Sequence, residues 1–218
     1  ATAIATASHA SGTAELFALM SWRDRRMAAL CQAGLVEKFV DALVWVFYPL
    51  FLLRSGQSLS EAASITAVYG VVWGTSQLVT GRLSDRWGRQ PLNVVGMWIC
   101  GVGVALMLMG NGFAWWSLCA SVSGFGMAML YPNLSAAVAD LSHPAWRGSA
   151  IGIYRFWRDL GYGIGALGLG LVASGSGRIE DAFVFVAVAM FLSGALLWAW
   201  GAETRLNHVT PADAGSLL

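Results

Sequence analysis

Six apolar segments, near residues 33–53, 62–81, 92–110, 114–138, 148–173 and 182–201, follow one another with only short polar gaps between them. Each is close to the about 20 residues that carry a helix across the hydrocarbon of a bilayer. In lipid every backbone N–H and C=O must be satisfied internally, so stretches of this length and character can span only as helices. The sequence therefore predicts an all-α membrane protein, a bundle of six transmembrane helices. Composition agrees: 57% of the 218 residues are hydrophobic and 11% are charged, against about 25% charged in a soluble domain. Several segments exceed the minimum length and predict tilt or protrusion.

The same composition narrows function. A net charge of +1 gives no reason to expect a nucleic-acid partner. Cys31, Cys100 and Cys119 are isolated and odd in number, which suits small apolar residues in helices. His9, His143 and His208 all lie outside the apolar segments, and there is no Ser–His pair, HExxH motif or metal-ligand cluster. The expectation is a protein that is not an enzyme and that needs no cofactor and no metal. Asn133-Leu134-Ser135 matches a glycosylation sequon but falls in or beside a span, and is set aside.

Arginine distribution orients the bundle. If the first span begins inside, the inner segments hold Arg23, Arg25, Arg26, Arg82, Arg86, Arg89, Arg147 and Arg205, and the outer ones only Arg54 and Arg178. The positive-inside rule then puts both termini in the cytoplasm of a multi-pass plasma (inner) membrane protein. The reading divides the chain into a disordered leader (1–12), an interfacial amphipathic or linker helix (13–31), the six-helix domain (32–203) and a cytoplasmic tail (204–218). Leu16, Leu19, Met20, Met27 and Leu30 supply the apolar face of the second piece.

Charges inside the spans are uneven. The third and sixth carry none. The first carries Glu37, Lys38 and Asp41, and the fifth Arg155, Arg158 and Asp159. Each costs about 2.5–3.5 kcal/mol at mid-depth on insertion scales, so each is expected to face a polar cavity or a partner. Glu37, Asp41, Trp45 and Tyr48 share one helix face, as do Arg155, Arg158, Asp159 and Tyr162. Lys38 is expected to point elsewhere, toward the inner headgroups. Asp41, Glu37 and Asp159 are the candidate proton carriers, with Asp41 preferred over Glu37. Arg155, Arg158, Tyr48, Tyr131 and Asn133 are the candidates for substrate or charge pairing. A structural salt-bridge network that never meets substrate is the competing reading of the same residues. Pro132 and Pro49 predict kinks. Gly148 and Gly152, then Gly161, Gly165 and Gly168, predict close helix contacts along the fifth span. Tyr69, Thr75, Ser76 and Gln77 give the second span mild polarity.

Between the second and third spans lies Gly81-Arg82-Leu83-Ser84-Asp85-Arg86-Trp87-Gly88-Arg89, a run too charged for hydrocarbon and expected to be a tight loop at the membrane surface. Its pattern G-x-x-x-D-R-x-G-R resembles the signature loop of the major facilitator superfamily, with Gln90 where that family continues with a basic residue. The resemblance covers about residues 30 to 205 and implies one six-helix half of a twelve-helix transporter. The basic segment before the first span looks like the linker between halves, and Glu203-Thr204-Arg205 opens what looks like a terminal tail, both of which suit the C-terminal half. A signature run matched this far, short only of the basic residue at Gln90, is more typical of the N-terminal half. Carried over, Gly81, Asp85, Arg86, Gly88 and Arg89 would form a cytoplasmic latch. The family further implies secondary transport of a small organic solute by alternating access, proton-coupled efflux being preferred. Trp45, Tyr48, Tyr131 and Trp157 would suit an amphipathic or drug-like solute. The implied partners are the lipid bilayer, a small-molecule substrate, the proton, and either a complementary half or a second copy. A non-transporting six-helix module that needs a partner half is the alternative.

Overall fold

The computed structural model describes residues 12–204. Nearly all of the leader and the tail, with His9, Arg205 and His208, lie outside the described residues. The described residues are nearly all helical, in the α-helices α1 Thr13–Ala18, α2 Arg25–Ala42, α3 Tyr48–Arg54, α4 Leu59–Trp87, α5 Arg89–Leu106, α6 Phe113–Leu141, α7 Arg147–Ser176 and α8 Glu180–Trp200.

Local chemistry sets the breaks. Asp24 is extended and accepts hydrogen bonds from the backbone N–H groups of Arg26 and Met27, capping α2. The first long helix therefore starts at Arg25, earlier than residue 33, and the helical piece expected over 13–31 stops at Arg23. A π-turn, Leu43–Phe47, joins α2 to α3. Pro49 has no N–H for the carbonyl of Trp45, four residues back, and the wide turn falls over that carbonyl. Ser58 and Glu61 form a reciprocal capping box at the start of α4. The signature run is not a loop: α4 continues to Trp87, and Gly88 alone, at φ 99°, turns the chain into α5. Nothing in the run breaks a helix before that glycine. A helix of 29 residues is about 43 Å long, more than a bilayer's hydrocarbon.

By length and apolar composition, two helices among the described residues qualify as membrane spans, Phe113–Leu141 and Glu180–Trp200, against the six expected. α2 and α7 carry charges in their middles.

Treat α2 with α3 as the first long axis, and α4 to α8 as the second to sixth. The first packs on the fifth and sixth; the fourth packs on the second and third; the third packs on the sixth. Moving every number on by three leaves this scheme unchanged. The bundle is thus two similarly packed three-helix sets, as internal repeats in transporters are. Close approach rests on small residues. A Cβ on Gly126 (α6) would lie 2.6 Å from the Cys100 nitrogen (α5), and one on Gly161 (α7) would meet the Leu35 carbonyl (α2). Gly165 likewise backs onto Phe39, whereas Gly148 and Gly152 face open space. Of the two glycine rows expected on the fifth span, one makes the contact.

Candidate functional site

The middle of α2 buries three ionisable groups almost completely: Glu37 at 0% exposure, Lys38 at 1% and Asp41 at 0%. The Lys38 ammonium lies 2.6 Å from Asp41 Oδ2 and 3.3 Å from Glu37 Oε1. Arg158 of α7 brings Nε to 3.8 Å from Glu37 Oε1. Two acids and two bases thus share one desolvated spot. Buried charge of this kind persists only when paired. Lys38 does not snorkel to the headgroups. Lys38 and Asp41 are an i, i+3 pair on the same side of the helix, and two buried carboxylates hold the ammonium there.

Tyrosines from three helices enclose the charges. The hydroxyls of Tyr69 (α4) and Tyr162 (α7) donate to Asp41 at 2.9 and 3.0 Å. Tyr131 (α6) presents its ring to the Arg158 guanidinium at 4.3 Å and to the Lys38 ammonium at 5.6 Å. Lys38 also lies 5.1 Å from the Tyr162 ring. An aromatic chain leads away from this point: Trp45 touches Tyr69, Tyr69 touches Trp73, and Trp73 touches Tyr131. Trp45 is 50% exposed and Tyr162 41%, so the rim of the cluster lies at the surface of this chain.

The candidates from the sequence divide here. Glu37, Asp41, Arg158 and Tyr131 converge. Arg155 and Asp159 are exposed, and among the described residues neither joins an ion pair. The face of α7 toward α2 is Tyr154, Arg158 and Tyr162, at i, i+4 and i+8, which turns the 155/159 row outward. Tyr48 stacks on Phe183 at 5.5 Å in the packing core, apart from the charges. Asn133 is buried and donates to the Met129 carbonyl of its own helix. Tyr154 was not singled out in the sequence. Its i−4 spacing from Arg158 is the signal that could have found it.

Pro132 has a traceable consequence. It cannot donate to the Ala128 carbonyl, and the Thr80 hydroxyl of α4 takes that carbonyl at 2.8 Å. The carbonyl that the proline frees is thus tied to a neighbouring helix.

At the end of the bundle near Gly88, Arg89 pairs with Asp140 at the end of α6. Thr204 donates to the same carboxylate at 3.3 Å. Glu203 accepts from the backbone nitrogens of Arg89 and Gln90 at 3.0 and 3.3 Å, placing an anion at the N-terminus of α5. Gln90 reaches the Leu197 carbonyl of α8 at 3.4 Å. Asp140 and Glu203 are partners the sequence did not assign. Gly81 has open space around its Cα, so within this chain it permits no close approach.

The sequence model described as Major Facilitator Superfamily matches residues 30–217. The multidrug resistance protein MdtH of Yersinia pestis (strain Pestoides F) is 32% identical over 167 residues, 72% of this chain and 39% of that protein. MdtH of Yersinia pseudotuberculosis serotype O:1b (strain IP 31758) gives the same figures. The chain spans 39% of the length of these curated relatives. Among solved structures, peptide transporter POT in complex with sulfate superposes with a TM-score of 0.70 at 23% identity, over 87% of this chain and 42% of that one. A D-xylose-proton symporter gives 0.68 at 18% identity, over 94% and 48%. At those identities the likeness is one of fold. With the signature run, the doubled three-helix packing and a family match over most of its length, this chain belongs to the major facilitator superfamily, a family of integral membrane transporters.

Proposed function

We propose that the chain is one six-helix half of a secondary transporter that moves a small organic solute against protons by alternating access. The observation that carries this is the buried Glu37–Lys38–Asp41–Arg158 cluster, ringed by tyrosines and open along an aromatic rim. Four ionisable groups buried in the middle of a membrane bundle are costly, and such groups mark ion or substrate paths. Balanced charge makes the cluster sensitive to one proton, since adding it leaves an unpaired cation beside the rim. The rim of Trp45, Trp73, Tyr131 and Tyr162, backed by the buried Tyr69, suits an amphipathic, aromatic solute. Similarity to MdtH, a multidrug resistance protein, favours efflux.

On this reading the six long axes all cross the inner membrane, both termini are cytoplasmic, and a complementary half or a second copy completes the cavity. Arg89, Asp140 and Glu203 brace the cytoplasmic end within this half. Asp85 and Arg86 contribute to the latch that opens as access alternates. A second reading, a module that does not transport alone, draws on the chain's spanning 39% of the length of its curated relatives.

The test is reconstitution of the chain, with its mass measured in detergent, followed by internal pH in liposomes under a gradient of an aromatic cation. A dimer that shows solute-driven proton movement supports transport from two copies. A monomer with none, whatever solute is supplied, rejects transport by this chain alone. Asp85→Asn should raise cytoplasmic labelling of cysteines placed along the rim, and an unchanged pattern would remove the latch.

A further inference from the structure

We propose that Glu37, rather than Asp41, takes up and releases the proton, and that the Tyr154 hydroxyl, Arg158 and a water held between them form its site. This rests on the transporter reading above and assigns the residues of its proton step.

The two acids are served unequally. Asp41 is saturated: Lys38, Tyr69 and Tyr162 all donate to it, at 2.6, 2.9 and 3.0 Å. Glu37 has only longer ion-pair contacts, 3.3 Å to Lys38 and 3.8 Å to Arg158. Both of its oxygens are buried without a hydrogen bond. Hydrogen bonds to the ionised form hold a carboxylate charged, and a buried carboxylate without them gives way to its neutral acid first.

The atoms that could serve Glu37 are also orphaned. Arg158 Nε and Tyr154 Oη are buried and have no hydrogen-bond partner. Tyr154 is 0% exposed and faces both Glu37 and Arg158. The placement is built in by Gly34: a Cβ there would lie 2.6 Å from Tyr154 Cε2 and 3.1 Å from its Oη. Gly34 and Glu37 are one turn apart on α2, opposite Tyr154 and Arg158, one turn apart on α7. Two carboxylate acceptors, a guanidinium donor and a hydroxyl, all unmet and adjacent, are the set that one buried water satisfies with two to four bonds.

The groups facing this spot come from every neighbouring helix. α2 supplies Lys38, Asp41 and Cys31, α4 Tyr69, α5 Cys100, and α6 Tyr131 and Ser135. α7 supplies Tyr154, Arg158 and Tyr162, and α8 reaches α2 through Ser193, which donates to Gln32. Ser135 lies beside the Tyr154 hydroxyl, short of hydrogen-bond geometry. In the proton step a hydronium ion gives one proton to a Glu37 oxygen: one O–H bond of the hydronium breaks, one O–H bond forms on the carboxyl, and water is left behind. Lys38 then remains with Asp41, and Arg158 is left with the Tyr131 ring and no carboxylate, free to meet an anionic group or to repel a cationic one.

The test is infrared difference spectroscopy of the purified full chain in lipid, titrated with pH. The wild-type protein should show a protonated-carboxyl band that shifts when glutamate, and not aspartate, is labelled with carbon-13; this requires no substitution. The band should vanish in Glu37→Gln and survive in Asp41→Asn. Tyr154→Phe should raise its midpoint by about one pH unit, because the lost O–H donor favoured the ionised carboxylate. Tyr162→Phe should leave the midpoint in place. A band that follows the aspartate label, or an unmoved midpoint in Tyr154→Phe, overturns the assignment. Because the readout needs no flux, a band that behaves as described with no solute-driven proton movement would count against transport alone.

Discussion

Lys38→Met removes one cation from a cluster of two acids and two bases, and its cost can be worked from the distances. Contacts of 2.6 Å to Asp41 and 3.3 Å to Glu37 correspond to about 6 and about 5 kcal/mol at an effective dielectric of about 20. Returning the ammonium to water recovers several kcal/mol, which leaves a net loss of about 3–5 kcal/mol, the range found when one partner of a buried pair is removed. For a chain of this size that is a fall in Tm of about 6–20 °C. Cys31, Cys100 and Cys119 are buried and free, so a thiol-reactive dye reports unfolding without added labels. The double variant Lys38→Met with Asp41→Asn restores charge balance, keeps an acceptor for Tyr69, and should recover most of the loss. A Lys38→Met protein with an unchanged Tm, or a double variant less stable than the single, would refute the charge-balance reasoning.

Three further outcomes are expected. Gly161→Leu should prevent α2 and α7 from docking and abolish the monodisperse peak in size-exclusion chromatography, whereas Gly152→Ala, which meets open space, should change Tm little. Thr80→Ala should cost about 1–3 kcal/mol by orphaning the Ala128 carbonyl; Pro132→Ala supplies an N–H to that carbonyl, so a double-mutant cycle should show strong non-additivity. Burial raises the Asp24 carboxyl, but Arg26 and the N–H groups of Met27 and Arg26 outweigh it and hold the group below its ordinary 3.8. Its stabilisation is therefore full above 3.8 and lost as pH falls through the lowered value. Asp24→Asn should flatten that acid limb in a pH series of Tm while keeping the cap.

The architecture was legible because hydropathy and the signature run are local properties. Helix class, the lack of charge in the middles of the third and sixth axes and the singling out of Glu37, Asp41 and Arg158 all follow from spacing within single segments. What spacing could not give was which of several adjacent rows on a helix meets a neighbour. On α7 the Arg155–Asp159 row and the Tyr154–Arg158–Tyr162 row differ by one residue, and only packing against Gly34 and Leu35 selects the second. Lys38 was misjudged for the same reason: a headgroup and a buried carboxylate both suit an ammonium, and the choice depends on depth and partners. The end of α4 was misread because a charged run can leave the membrane as a helix as readily as a loop. Asp140 and Glu203 lie 51 and 114 residues from Arg89, beyond any local pattern.

The central claim is that a solute at the aromatic rim and a proton in the buried cluster are coupled. Binding linkage is reciprocal, so a solute that displaces a proton must release it into solution. The most direct measurement is therefore proton release from the purified chain in unbuffered detergent, followed with a pH indicator as an aromatic cation is added. Release of about one proton per solute bound is expected from the wild-type chain and none from Glu37→Gln, with binding retained. Solute binding with no proton released by the wild-type chain would contradict the coupling.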